Sequence, residues 1–185
     1  MSKIISKNKK ILLKICIISI FSALYFLLNM LTVKFGNYLQ ISLNALPIIL
    51  ISIFLGPVSG MAVGFIGEFL SQILEYGLSI STLWWTTPAV LRGLSVGLLF
   101  ILFKRSQKIV PLSINIITSS LLVTILNTFL LIMESKILGY YAITLSTTFF
   151  VTRLTSSIAT AVVMIVIIYP VINALKKQNL INILK

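Results

Sequence analysis

The chain alternates long apolar runs with short polar breaks. Residues 15–33 form an uncharged run of 19 positions ending before Lys34. At about 1.5 Å per residue it spans ~28 Å, enough for a hydrocarbon core of about 30 Å. It is too long for the core of a cleaved signal peptide, about 7–15 residues, and no small-x-small cleavage site follows it. Residues 34–44 break the pattern. Leu39, Ile41 and Leu43 alternate there with Gln40 and Ser42, the period of an extended, half-buried segment. Asn44 is expected to cap a helix over 45–55, with Pro47 in its first turn, where a missing N–H costs little. Gly56-Pro57 turns the chain into a helix over 59–75. The segment 45–55 is short for a full crossing, so 45–75 reads either as two spans or as a re-entrant hairpin.

Residues 76–82 make a turn. Further helices are expected over 83–103, 112–133, after Pro111, and 146–169, ending at Tyr169-Pro170. The stretch 134–145 is expected as a loop turning at Gly139-Tyr140-Tyr141. The pattern predicts an all-α membrane protein of six transmembrane helices, one domain over 1–185, with no internal repeat and no linker.

Composition strengthens this reading. The mean hydropathy is +1.12 and 58% of residues are hydrophobic, against about 45–50% in soluble domains. The net charge of +12 would suggest nucleic acid in a soluble chain. Here the basic residues lie between apolar runs and orient the chain in lipid instead, so no nucleic-acid partner is expected. Eleven of them fall at the two termini and in the 104–111 loop, against Lys34 and Lys136 at the other end of the spans. The positive-inside rule then makes both termini cytoplasmic and the loops at 34–44, 76–83 and 134–145 external.

The residue inventory narrows the chemistry. The chain has no His and no Asp, three Glu, and one cysteine, Cys16. Imidazole metal sites, Ser/His catalysis, aspartyl chemistry and an intrachain disulfide are excluded. No catalytic residue, metal or cofactor is expected. Cys16 reads as a small apolar filler.

The remaining polar groups inside apolar runs are the candidates. Glu68 sits midway along the third segment and Arg92 about ten residues into the fourth, at similar depth. An unpaired charge in hydrocarbon costs at least about 2.5–3.5 kcal/mol, so a partner or a wet cavity is required. Two readings stand: an ion pair locking two helices, or pocket charges that meet a ligand. Gln72 lies one turn above Glu68 on the same face, and Asn127 and Arg153 lie in the outer halves of the last two segments. Their convergence suggests a polar pocket, where an Arg suits a carboxylate or phosphate. Interhelical hydrogen bonding and snorkelling are the plainer readings. Trp84, Trp85 and Tyr76 either mark the membrane interface or cover a flat heteroaromatic ligand. The same choice stands for Tyr140 and Tyr141. The ladder Gly60, Gly64, Gly67 reads as close helix packing.

The stretch LQISLNALPIILISIFLGPVSGMAVGFIGEFLSQIL, with its LPI and GPVSGMAVGFIGE core, a basic N-terminus and six helices, resembles the substrate-binding S component of an energy-coupling factor (ECF) transporter, folate-type group. The architecture of the resemblance covers nearly the whole chain. It implies a bacterial cell-membrane protein that binds a vitamin or vitamin precursor, best guess folate, in an external-side pocket. Pantothenate and hydroxymethylpyrimidine stay open as ligands. It also implies a coupling membrane subunit and two cytoplasmic ATPases as partners. The chain has no Gly-Lys-Ser/Thr phosphate loop of its own, in agreement. Small residues four apart on the first helix dock the coupling subunit in that family; Ser19 and Ala23 match the spacing and Ser22 adjoins them. In this reading Glu68, Gln72, Tyr76, Trp84, Trp85, Arg92, Asn127 and Arg153 surround the ligand. A self-sufficient carrier or channel and a ligand-free assembly subunit are the alternatives; the first would transport alone in liposomes, the second would bind no small molecule.

Overall fold

The computed structural model describes residues 2–31, 33–35, 39–41, 43–139 and 147–177. Among these, six α-helices run as α1 (Ser2–Met30), α2 (Ala45–Leu55), α3 (Pro57–Tyr76), α4 (Ile80–Leu102), α5 (Ile109–Leu138) and α6 (Thr147–Lys177). Two short antiparallel strands, β1 (Val33–Phe35) and β2 (Leu39–Ile41), pair Val33 with Ile41 and Phe35 with Leu39 between α1 and α2. Within the stretch expected as a loop at 34–44, the described residues thus include paired strand. All the long helices are apolar and long enough to cross a membrane. Large apolar side chains such as Leu27, Phe129 and Val166 face outward, as lipid contact requires.

The helix α2 is different. Its 11 residues give about 16 Å, half of a hydrocarbon core, so it is no full crossing by itself. It is buried on most sides, from Ala45 through Ile53, because α1, α3, α4 and α6 surround it. Gly56 takes a φ of 95°, which only glycine adopts cheaply, and Pro57 opens α3 at once. The result is a tight α2–α3 hairpin.

Several helix ends differ from the hydropathy boundaries. Helix α1 begins at Ser2, not 15, and α5 runs past 133 to Leu138. Lysine and glutamate are good helix formers, so a charge marks the edge of the apolar run without ending the helix. Helix α6 continues through Pro170 to Lys177, held by Ile168 and Ile172, buried on either side. The expected turn at Tyr140-Tyr141 lies outside the described residues. Cys16 is exposed on α1 and fills no core.

Backbone contacts set the registers. Gly93 and Gly97 on α4 meet Gly60 and Pro57 on α3, and Gly64 meets the Ala89 carbonyl, so the two helices are antiparallel and nearly touching. Gly67 lets the Tyr25 ring of α1 lie on α3. The glycine ladder is therefore a packing device: a Cβ at Gly60 would meet Ser52 of α2, at Gly64 Ala89 of α4, and at Gly67 Tyr25 of α1. The Ser95–Ser119 hydroxyl pair at 2.9 Å and the Asn115 amide, donating to the Val96 carbonyl at 3.0 Å, tie α4 to α5.

Candidate functional site

A cavity of about 320 Å³ opens between α1, α2, α3, α4, α5 and α6. It lies in the half of the bundle that holds the end of α1 and the start of α4, away from the basic Lys104–Lys108 turn. Its volume is in the ordinary range for small-molecule sites, about 300–1,000 Å³.

One wall is a chain of hydrogen bonds across three elements. The Tyr25 hydroxyl of α1 donates to Glu68 Oε2 at 2.5 Å. Gln72 Nε2, one turn along α3, donates to Glu68 Oε1 at 2.8 Å. Asn44 Nδ2 donates to Tyr25 Oη at 3.1 Å and to Asn29 Oδ1 at 2.7 Å. Asn44 therefore does not cap α2: its backbone is already helical and its side chain makes no cap bond. A short amide that could cap its own helix serves here to bridge α1 and the start of α2. Arg92 of α4 lines the same cavity as Glu68.

The second wall is α4. Trp85, Pro88, Ala89 and Arg92 follow a three-to-four-residue spacing and line the cavity together. Pro88 removes the amide that would bond the Trp84 carbonyl. The Thr87 hydroxyl donates to that carbonyl instead, at 2.7 Å, which keeps the helix regular beside Trp85. The indole Nε1 of Trp85 donates to Glu134 Oε1 on α5 at 3.2 Å.

The third wall is rich in hydroxyls and amides. Helix α5 contributes Ser120, Thr124 and Asn127, and α6 contributes Arg153, Ser156, Ser157 and Thr160. Several hydroxyls bond back to their own helix, as Thr124 does to the Ser120 carbonyl at 2.9 Å, which leaves their oxygens able to accept from a guest.

Of the residues expected around a ligand, Glu68, Trp85, Arg92, Asn127 and Arg153 line this one cavity, and Gln72 braces Glu68 from behind. Trp84 and Tyr76 do not line it. Trp84 is turned about 100° from Trp85 around α4. Tyr76 ends α3 with 68% of its surface exposed, so neither covers the pocket as expected. Tyr25, Asn29 and Asn44 were not among the expected site residues. On α1, Ser19 and Ala23 are exposed on the outer face. Ser22 is buried, only 2% exposed, with its hydroxyl on the Ile18 carbonyl, so it cannot share a docking face with them.

Residues 9–177 match the family model described as ECF-type riboflavin transporter, S component. Among solved structures, the S component of a bacterial ECF transporter has a similar fold, with a TM-score of 0.59 and 23% identity over 92% of this chain and 99% of that one. No curated protein matches the chain. A match over nearly the whole length, on an all-α multi-pass bundle with a polar cavity, leaves one assignment: the chain belongs to the ECF-type riboflavin transporter S component family and is the membrane substrate-binding subunit of an ECF transporter.

Proposed function

We propose that this subunit captures riboflavin from the external side of a bacterial cell membrane and delivers it to a coupling membrane subunit driven by two cytoplasmic ATPases. The lining of the cavity carries this reading. An aromatic ring beside Pro88 and Ala89 suits a flat tricycle. Uncharged hydroxyls and amides on α5 and α6 suit a neutral polyhydroxyl chain and polar ring edges. Riboflavin, the ligand in the description of the matching family, therefore replaces folate as the proposed substrate. The external direction is supported by the basic turn Lys104–Lys108 at the opposite end of the bundle.

The test is a titration of the detergent-purified chain with riboflavin, read by quenching of flavin fluorescence, beside folate, pantothenate and hydroxymethylpyrimidine. Saturable binding of riboflavin alone is expected. Binding of folate without riboflavin by a folded sample overturns the proposal. Arg153→Ala and Asn127→Leu are each expected to weaken binding about tenfold or more, since each removes a hydrogen-bonding group from the lining. Unchanged affinity in folded variants would remove those residues from the site.

Docking to the coupling subunit is assigned to the exposed Ser19 and Ala23 face of α1. Ala23→Trp is expected to abolish co-purification with the coupling subunit while leaving riboflavin affinity within about threefold of wild type, since surface changes away from a site rarely exceed ~0.5 kcal/mol. Normal co-purification would move the docking face elsewhere.

A further inference from the structure

Glu134 is one of three acidic residues in the chain and lies near the end of α5. The end of a helix is a poor place for an acid, because the last carbonyls already carry negative partial charge. An apolar bundle makes it costlier still. Its carboxylate nevertheless accepts the indole N–H of Trp85, which stands on another helix and lines the cavity that Glu134 itself does not line. An indole has a single donor, so one acceptor behind it fixes the rotation of the ring. The backbone beneath is fixed separately, by the Thr87 hydroxyl on the Trp84 carbonyl.

We propose that Glu134 is a positioning residue for ligand binding: it holds the Trp85 indole so that the ring stands as a preformed wall of the cavity. The proposal rests on riboflavin as ligand only for its affinity readout. A wall fixed before the ligand arrives loses no rotational freedom on binding, so the contribution of Glu134 runs through Trp85 and not through contact with the guest. Glutamine keeps an acceptor oxygen at the same reach; leucine keeps the volume and removes the acceptor.

The experiment uses the full chain in a Trp84→Phe background, where Trp85 is the single tryptophan. Two quantities are read: steady-state anisotropy of Trp85 without ligand, and riboflavin affinity. Glu134→Leu is expected to lower the anisotropy and weaken riboflavin about tenfold, the scale of a lost charge-assisted hydrogen bond. Glu134→Gln is expected to restore both. With Trp85→Phe also present, Glu134→Leu is expected to change affinity no further, as a double-mutant cycle requires of a residue acting through its neighbour. Wild-type anisotropy in Glu134→Leu overturns the proposal, and so does a loss of affinity that persists in the Trp85→Phe background. A parent chain that binds no riboflavin would sink the substrate assignment alone; the anisotropy comparison would still decide whether Glu134 holds the ring.

Discussion

Replacing Glu68 with alanine is expected to destabilise the bundle by about 3 kcal/mol, the upper end of what it costs to leave a buried hydrogen-bonding group without its partner. Arg92 lines the same cavity, which water can enter, so its charge is screened and adds little to the loss. Two hydrogen bonds go with the carboxylate, those from Tyr25 and Gln72. The Tyr25 phenol then sits almost fully buried, 3% exposed, without its acceptor. The bridge from α1 through Asn44 to Asn29 loses its anchor on α3. For a chain of this size, about 3 kcal/mol corresponds to a fall of roughly 6–12 °C in melting temperature. Glu68→Gln separates the causes. Its amide oxygen can still accept from Tyr25, so it retains part of the hydrogen bonding and loses the charge. It should therefore melt between wild type and Glu68→Ala. If Glu68→Ala melts within a degree of wild type, the carboxylate is not what ties α1 to α3.

That tie shows where sequence reading reaches and where it stops. Glu68 and Arg92 stand out because charge within an apolar run requires a physical reason. Gln72 follows from its four-residue spacing to Glu68, and the structure places its amide on that carboxylate. Tyr25 gives no such signal: in SALYFLLNM it looks like any other member of an apolar run. Its role depends on Gly67 of α3 leaving room for its ring, a contact across 42 positions of sequence. Asn44 carries two meanings at once, since an amide able to cap a helix can equally bridge two of them. The tryptophans were separable in principle. Once Arg92 is taken to face a cavity, the residue seven positions earlier shares its face, and that residue is Trp85, not Trp84. The same arithmetic sorts α1. Ser22, Tyr25 and Asn29 follow an inward three-and-four spacing, which leaves Ser19 and Ala23 outside. Hydropathy located every helix and both ends of α2, but misplaced the start of α1 and the end of α5, because the edge of a lipid core and the end of a helix are set by different forces: solvation for one, backbone hydrogen bonding for the other.

The second large effect belongs to the α3–α4 seam. Gly93→Val is expected to cost about 3 kcal/mol or more, at or beyond the top of the usual range for overpacking. A Cβ at this position would fall inside van der Waals contact with backbone atoms of Gly60 and Met61. Backbone in the middle of a helix cannot swing aside as a side chain does, so the two helices must part. The Gly93 carbonyl also accepts the buried Ser52 hydroxyl of α2 at 3.0 Å, and separation strains that bond as well. Arg92 is the adjacent residue, and Glu68 lies two turns along α3 from Gly60. Parting the seam therefore widens the cavity between the very groups that line it. Loss of binding of riboflavin, the proposed ligand, should accompany the loss of stability, with both read on the same detergent-purified sample by melting and titration. The control is Leu98→Val on the same helix, at a side chain 46% exposed, where a change within about 0.5 kcal/mol is expected. If Gly93→Val melts with wild type, the close approach of α3 and α4 is not what sets the width of the site. The cavity would then have to be held open by the hydrogen-bonded walls alone, through Tyr25 with Glu68 on one side and Trp85 with Glu134 on the other.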